Sequence, residues 1–465
     1  RAVEQVEGPV MVIAGPGTGK TQILSARIGK ILLSDAQVAP ENILCLTYTD
    51  AGAVAMRRRL QQFIGPDAYR VHIYTFHAFC NEIIQSNLGL FEKTSLDPVS
   101  ELERIELLKE LIDGFDKDHP LKRYRGDVYF EIHGLQSLFA LMKREGWTGD
   151  FICTKVDEYL KSLPEREEYI CKRATKEFKK GDVRWDKIEA EKERFEKLRC
   201  ACNEAKKFNE LMHRRGRYDF DDMINWVIEA FETNETLLRS CQEQFQYILV
   251  DEYQDTSGSQ NKIVELLISY WDKPNIFVVG DDDQSIFRFQ GANVENMLAF
   301  AEGYSKDLLT IVLTANYRST QPILDVSKTL IGRNSERLVN KLQGLSKELK
   351  ALGAHAPDHH TVLPIIKEYA CASEEAIGLV MDVEALIQKG AQPSEIGIIY
   401  KENKYGEELS RYLQLKNIPY YSRRRLNWNI WQPSTTILIV VMSCCLKFCI
   451  MNGLEFPPWR LPKPL

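Results

Sequence analysis

The sequence predicts an α/β protein built on a parallel sheet, with a large helical insertion. Three observations carry this. Short apolar runs alternate with helical spacing up to about residue 88, a charge-rich block with almost no strand signal fills residues 89–216, and apolar runs then resume. Buried strands that alternate with helices imply parallel pairing through crossover helices. Val10–Ala14 is the first apolar run, and helical spacing follows from Lys20 to Leu33. Ile43–Thr47 is the second, followed by a helical pattern through Met56 and Leu60. Val71–Thr75 is the third, with Phe79, Ile83 and Ile84 at helical spacing after it. Runs at Tyr247–Val250 and Ile276–Val279 return to the same pattern, so the helical block interrupts one α/β domain.

After Leu308–Leu313 a second alternating unit begins, with expected strands at Val362–Lys367, Ile396–Tyr400 and Pro419–Tyr421 and helices at 374–389 and 405–416. The tail from Trp428 to Leu465 differs. It combines a Cys-rich apolar run, Ile437–Leu446, with four late prolines, and it has three basic residues and one acidic residue. The apolar run is too short to span a bilayer, which takes ~20 residues.

Length and composition bound the function. At ~150 residues per domain, 465 residues suggest about three units. A charged fraction of 27% and a hydrophobic fraction of 44% exclude a disordered or fibrous chain. A net charge of −6 excludes a globally basic nucleic-acid binder but leaves room for a local basic groove. Residues 161–217 carry 18 Lys/Arg against 12 Asp/Glu, which reads either as a solvated helix face or as a phosphate contact. Eleven cysteines with no Cys-x-x-Cys pair favour a reduced, cytoplasmic chain rather than a disulfide or zinc scaffold. The chain starts at Arg1 and runs directly into an apolar strand, so the reading is of a fragment whose start lies upstream.

The strongest chemical signal is Ala14-Gly15-Pro16-Gly17-Thr18-Gly19-Lys20-Thr21. It follows a strand and opens a helix, the setting in which a Gly-rich loop rings phosphates with backbone N–H groups and a helix N-terminus. Lys20 can reach the β- and γ-phosphates of ATP, and the Thr21 hydroxyl can ligate Mg²⁺. Asp251 and Glu252 emerge at the tip of the run Tyr247–Val250. There Asp251 can hold Mg²⁺ and Glu252 can take a proton from an attacking water. Gln284 follows the next strand in Gly280-Asp281-Asp282-Asp283-Gln284, where a neutral amide can bond both the γ-phosphate and the water.

These blocks and several others follow in the order found in a superfamily 1 helicase of the UvrD/Rep type. They are A-G-P-G-T-G-K-T, L-T-Y-T-D at 46–50, Y-T-F-H at 74–77, Y-D-F-D-D-M at 218–223, V-D-E-Y-Q-D-T at 250–256, G-D-D-D-Q-S-I-F-R-F-Q-G-A at 280–292 and N-Y-R-S-T at 316–320. The chain resembles that family from residue 1 to about 425. The resemblance implies a P-loop fold of two RecA-like domains with ATP between them. Residues 1–319 would form the ATP-binding region, with 1–88 and 217–305 as the first RecA-like domain and 89–216 as its inserted subdomain. Residues 306–427 would be a partial second RecA-like domain, and 428–465 an aberrant tail. The resemblance makes Gln284 a γ-phosphate sensor, Tyr317 an adenine stack and Arg318 an arginine finger. It also implies a single-stranded DNA track through Thr47, Tyr48, Thr75, Phe76, His77, Arg288 and Phe289, travel from 3′ to 5′, and single-stranded DNA and single/double-strand junctions as partners. Read without the family, core packing is the preferred reading of Tyr48 and Phe76.

The sequence departs from the family pattern in places. The adenine-recognising Gln would precede Arg1, and Gln22 replaces a common Arg. Asp50, Ala51, Phe289 and Gln290 replace common Asn, Lys, Trp and Arg. The family's second insertion and last motifs are missing, so the expectation is a chain that binds single strands but unwinds duplex poorly. The competing readings are a single-stranded-DNA-binding module with a crippled ATPase, and the helicase part of a helicase–nuclease of the AddA/RecB kind. No nuclease carboxylate–Lys cluster supports the last.

Overall fold

The computed structural model describes residues 1–91, 97–122, 126–171, 179, 181–285, 294–334, 337–342, 345–353, 363–400, 403–422 and 438–439. They form two compact units, one of residues 1–14 and 20–312, the other of residues 15–19 and those from 313 onward.

The first unit opens with β1 (Val10–Ala14), α1 (Lys20–Ser34), β2 (Ile43–Thr47), α2 (Asp50–Ile64), β3 (His72–Thr75), α3 (Phe76–Ser86) and the short α4 (Leu88–Phe91). An insertion follows, framed by β4 (Asp97–Pro98) and β5 (Arg217–Tyr218), which pair in parallel. Between them lie α5 (Glu101–Asp113), α6 (Ile132–Glu145), α7 (Gly149–Ser162) and α8 (Trp185–Arg214). The chain then returns through α9 (Phe220–Thr233), α10 (Glu235–Gln244), β6 (Tyr247–Val250), α11 (Gly258–Ile268), β7 (Ile276–Gly280), α12 (Val294–Gly303) and β8 (Leu309–Leu313).

Six strands form one sheet in the order β3-β2-β6-β7-β1-β8. The β3–β2, β2–β6, β6–β7 and β7–β1 pairs are parallel. Every residue of β1, β2, β6 and β7 is buried. Continuous apolar runs are required there because helices cover both faces of a parallel sheet. Register places Ile13 beside Gly280 and Val250 beside Val278. The chain therefore leaves β1, β6 and β7 at one edge, where ligands of open α/β sheets bind.

The insertion has its own core. Leu107, Leu108, Leu111 and Ile112 of α5 meet Leu135, Phe139 and Met142 of α6 and Phe208 and Met212 of α8. Ser100 and Glu103 form a capping box that starts α5. Several of the basic residues of α8 are paired locally: Lys192 with Glu189, Arg194 with Glu191, Lys207 with Glu204, and Arg199 with Asp157 of α7. For these residues the solvated-face reading fits. No described helix is long and apolar enough to cross a membrane.

The second unit contains β9 (Ala315–Asn316), α13 (Gln321–Ile331), α14 (Leu338–Lys341), β10 (Lys350–Ala351), α15 (Ala372–Gln388), α16 (Asn403–Leu415), β11 (Tyr421–Ser422) and β12 (Leu438–Ile439). β9 pairs with β10 and β11 with β12, both in parallel. Ala376, Leu379, Val380 and Val383 of α15 pack with Leu409 and Leu413 of α16 and with Ile396, Ile398 and Ile418. Two expected strands are corrected here. Residues 363–367 and 396–400 form no strand, and only Gly397 makes a single bridge. Ile396 and Ile398 are buried against helices instead, so their alternating pattern reports side-chain burial without a ladder. Apart from Leu438 and Ile439, the tail from Trp428 lies outside the described residues.

One buried cation fixes the entry into β1. Arg27 of α1 is 1% exposed, and no carboxylate pairs with it among the described residues. Its guanidinium donates to the carbonyls of Ala2 and Val6 at 2.8 and 2.9 Å and also to that of Gln5, and it lies 4.5 Å over the Phe277 ring. Burial pulls its pKa down to about 10. Carbonyl oxygens and a π face stand in for a counter-ion, and they satisfy the planar fork as an ammonium could not. Arg27→Met should lower unfolding stability by about 2 kcal/mol and expose residues 1–6 to proteolysis, because buried carbonyls lose their donors. A urea midpoint and cleavage rate equal to the parent's would refute this.

Candidate functional site

The first half of the site lies at the tips of β1, β6 and β7. Lys20, the first residue of α1, forms a salt bridge with Glu252. Asp251, one residue past β6, is 8% exposed, and its N–H donates to Leu46 O at 2.8 Å. Burial drives the Asp251 carboxyl up to about 7, the neighbouring Glu252 adds to this, and Lys20 opposes it. Glu252 has φ 51°, in the left-handed region that costs an L-residue roughly 1–2 kcal/mol. Its N–H donates to Asp251 Oδ1 at 3.0 Å. Strain of this kind collects where a side chain must be aimed.

Gln254 holds the tips together, a role that sequence reasoning missed. It is 1% exposed. Its amide nitrogen donates to Glu252 Oε2 at 2.9 Å and Asp255 Oδ2 at 3.0 Å, and its oxygen accepts from the Asp281 N–H at 2.8 Å. The pattern V-D-E-Y-Q-D-T contains it, but only the fold shows that it spans two strands. Burial and Glu252 also raise Asp255, to about 6. Gln284 donates to the Asp281 carboxylate, which also accepts from the Asp283 N–H at 3.2 Å. The carboxylates of Asp281, Asp282 and Asp283 lie within 4.8 Å of one another, on a turn that Asp281 caps.

The donor set suits a hard divalent cation. Asp251 is a carboxylate held out of water beside a second carboxylate, an environment that favours either a proton or a positive ion with oxygen ligands. Thr21, half-buried on the first turn of α1, adds a hydroxyl of the same chemistry.

The loop 15–19 belongs to the second unit. There Tyr317 N–H donates to Gly17 O at 2.9 Å, and the Asn316 amide donates to Pro16 O. Asn316 Oδ1 accepts from the N–H groups of Arg318 and Ser319 at 2.9 and 2.7 Å, which fixes the turn that carries Arg318. Gly17 has φ +69°, and a Cβ there would sit 2.6 Å from the Arg318 Cβ, so no other residue fits. Thr18 is buried and donates to Gly15 O at 2.7 Å. Ala14 is the buried end of β1, Gly19 takes φ +87°, and the Tyr317 ring is 62% exposed.

A second face lies beyond the tips of β2 and β3. Two expectations are corrected there. Phe76 is 2% exposed and packs in the core, so it offers no ring to a base. Thr47 is equally buried, because it still sits in the ladder beside Thr75 and its hydroxyl faces Gly52. Thr75 uses its hydroxyl to accept from Ala78 N–H at 3.2 Å, capping α3. Tyr48 remains on the surface, 37% exposed. His77 Nε2 lies 3.7 Å from Asp221 Oδ1, and Arg144 approaches the other Asp221 oxygen at 3.8 Å. The exposed aromatic that sequence reasoning missed is Phe220. It is 60% exposed, edge-on to His77 at 6.4 Å and to Tyr218 at 6.5 Å. Arg288 and Phe289 lie outside the described residues.

Comparison with known proteins identifies the family of the chain. Residues 1–305 match the UvrD/REP helicase N-terminal domain, and residues 311–425 match the UvrD-like helicase C-terminal domain. The ATP-dependent DNA helicase PcrA of Staphylococcus epidermidis is 30% identical over 423 residues, covering 90% of this chain and 49% of the relative. The putative ATP-dependent DNA helicase YjcD of Bacillus subtilis is 28% identical over 432 residues, covering 91% of this chain and 48% of the relative. The PcrA of Staphylococcus aureus is 28% identical over 423 residues, with 90% and 49% covered. The chain thus spans about half the length of the curated relatives it matches. With its N-terminal family domain covering residues 1–305 and the strand-tip site in that domain's frame, the chain belongs to the UvrD/Rep helicase family.

Proposed function

We propose that the chain is the motor portion of an ATP-dependent DNA helicase, which hydrolyses Mg–ATP at the strand tips and moves along single-stranded DNA. The observation that carries this is the convergence of Lys20, Asp251 and Glu252 on one sheet edge, with the Tyr48–His77–Phe220 face on neighbouring strand and helix ends. The loop 14–19 cradles the phosphates through its N–H groups, and Lys20 binds their oxygens. Thr21 and Asp251 would hold magnesium, which when bound neutralises charge on the phosphates. Phosphate oxygens that take Lys20 release Glu252 from its salt bridge. The freed carboxylate accepts a proton from water as the water oxygen bonds to the γ-phosphorus and the bond to ADP breaks. Gln284 orients that water, Tyr317 stacks on adenine and Arg318 steadies the leaving phosphate.

On the nucleic-acid side, Phe220 and Tyr48 offer π faces to bases, and Arg144 and His77 supply donors for phosphates. Thr75 lines the same face, and the family's pattern alone assigns Arg288 and Phe289, which lie outside the described residues, to the same contact. Travel from 3′ to 5′ and opening of duplex at a single/double-strand junction complete the reading. A cytoplasmic location is part of this proposal, supported by the eight described cysteines, all of them free thiols.

Glu252→Gln should retain ATP binding and lose turnover by about 100-fold or more, whereas Lys20→Ala should weaken binding itself. Parent-like hydrolysis by Glu252→Gln would remove the base from its role. A strand-displacement assay on 3′- and 5′-tailed duplexes tests polarity and unwinding.

Asp251→Asn should abolish turnover yet stabilise the fold. The raised carboxyl binds its proton more tightly when folded, so its contribution is intact below the unfolded pKa and is lost as pH rises towards about 7. The gain in melting temperature should therefore be larger at pH 8 than at pH 5, and a gain confined to pH 5 would contradict the assignment.

Phe220→Ala should cost about 1–3 kcal/mol in single-strand affinity, in binding that also weakens as salt rises. Phe76→Ala should instead cost about 3–5 kcal/mol of stability. Full affinity in Phe220→Ala would remove the stacking platform.

A further inference from the structure

Three consecutive residues at the end of α6 tie the start of α9 to the start of α11. Lys143 is buried, and its ammonium lies 2.7 Å from Asp219 Oδ2 and 2.7 Å from Asp222 Oδ1. Those two carboxylates also form the capping box of α9, accepting each other's N–H at 2.9 and 3.1 Å. Positions 219 and 222 are three apart on the first turn, so both can turn to Lys143 while Asp221 points elsewhere. Arg144 meets that Asp221, which also faces His77. Glu145 Oε2 accepts from the Gly258 N–H at 3.2 Å, at the first turn of α11.

The joint is tight. Lys143 O accepts from Ser259 Oγ at 2.8 Å and Asn225 Nδ2 at 3.0 Å. A Cβ on Gly258 would sit 2.7 Å from Glu145 O, so the approach of backbone to backbone requires glycine. Between Glu252 and Gly258 the chain is a short stiff turn: Asp255 N–H donates to Glu252 O at 2.8 Å, and the Thr256 hydroxyl donates to Tyr253 O at 2.7 Å. Displacement of Glu252 therefore reaches the start of α11, where Glu145 is attached.

We propose that the turn Lys143–Glu145 of the inserted subdomain is a positioning element that couples occupancy of the Tyr48–His77–Phe220 face to turnover at Glu252. Asp221 and Gly258 are its two points of attachment. The Glu145 carboxyl is raised by burial, and among the described residues its Oε1 has no hydrogen-bond partner. The proposal rests on the functional reading above.

The test measures ATP turnover with and without oligo-dT, together with oligo-dT affinity. Glu145→Ala should keep basal turnover and affinity within about twofold while reducing DNA stimulation of kcat by at least about fivefold. Glu145→Gln, which can still accept from Gly258 N–H, should restore most of that stimulation. A stimulated parent whose Glu145→Ala variant is stimulated equally overturns the proposal alone. So does a variant that loses basal turnover and stimulation in the same proportion, since that marks a merely structural role. A parent with no DNA-stimulated turnover overturns the functional reading and this proposal with it. If Glu145→Ala lacks the parent's cooperative melt, Ser259→Ala replaces it with the same expectations, because it removes the hydroxyl that holds Lys143 O.

Discussion

Asp251 and Glu252 leave one strand tip side by side, and Lys20 is the cation that faces them. Two carboxylates this close, one of them out of water, are stable only with positive charge beside them. Much of the surrounding structure serves that balance. Gln254 is neutral and can donate to one tip while accepting from the next, so it ties β6 to β7 without adding charge. The left-handed backbone at Glu252 keeps its carboxylate on Lys20 and Gln254. Whatever takes Lys20 away must bring its own positive charge or leave Asp251 protonated, which is why phosphate and a divalent ion are expected together.

The insertion answers to a second charge balance. Lys143 is a single cation shared by two carboxylates that also cap a helix, so the packing of α6 on α9 is fixed by groups that cannot be removed one at a time. Breaking one partner would leave a buried charge, which costs more than the intact arrangement contributes. The block Y-D-F-D-D-M thus divides its labour: Asp219 and Asp222 face inward, and Phe220 and Asp221 face the surface near His77.

Legibility from sequence followed burial on two faces. β1, β2, β6 and β7 are buried throughout and stood out as apolar runs, and the residues at their tips could be assigned from chemistry. Where only one face is covered, pattern and ladder separated, as at Ile396 and Ile398. Phe76 and Phe220 each lie beside a charged or imidazole neighbour. Only the direction in which α3 and α9 present their first turns makes one a core residue and the other a surface ring. Lys143 and Arg27 look like ordinary helix cations, because their partners lie far along the chain or are backbone carbonyls.

The register of Ile13 with Gly280 bears on synthesis. β1 leaves the ribosome before its partner β7, which comes after the entire insertion. At ~5–20 residues per second, the wait is about 13–50 s. β2 and β3 can pair early, and the insertion can fold on local helix contacts, but the strand that carries the phosphate loop stays unpartnered, five apolar residues long. A nascent chain of this kind presents a sticky edge until β7 emerges, so its yield in a cell depends on chaperone cover as much as on the stability of the finished sheet.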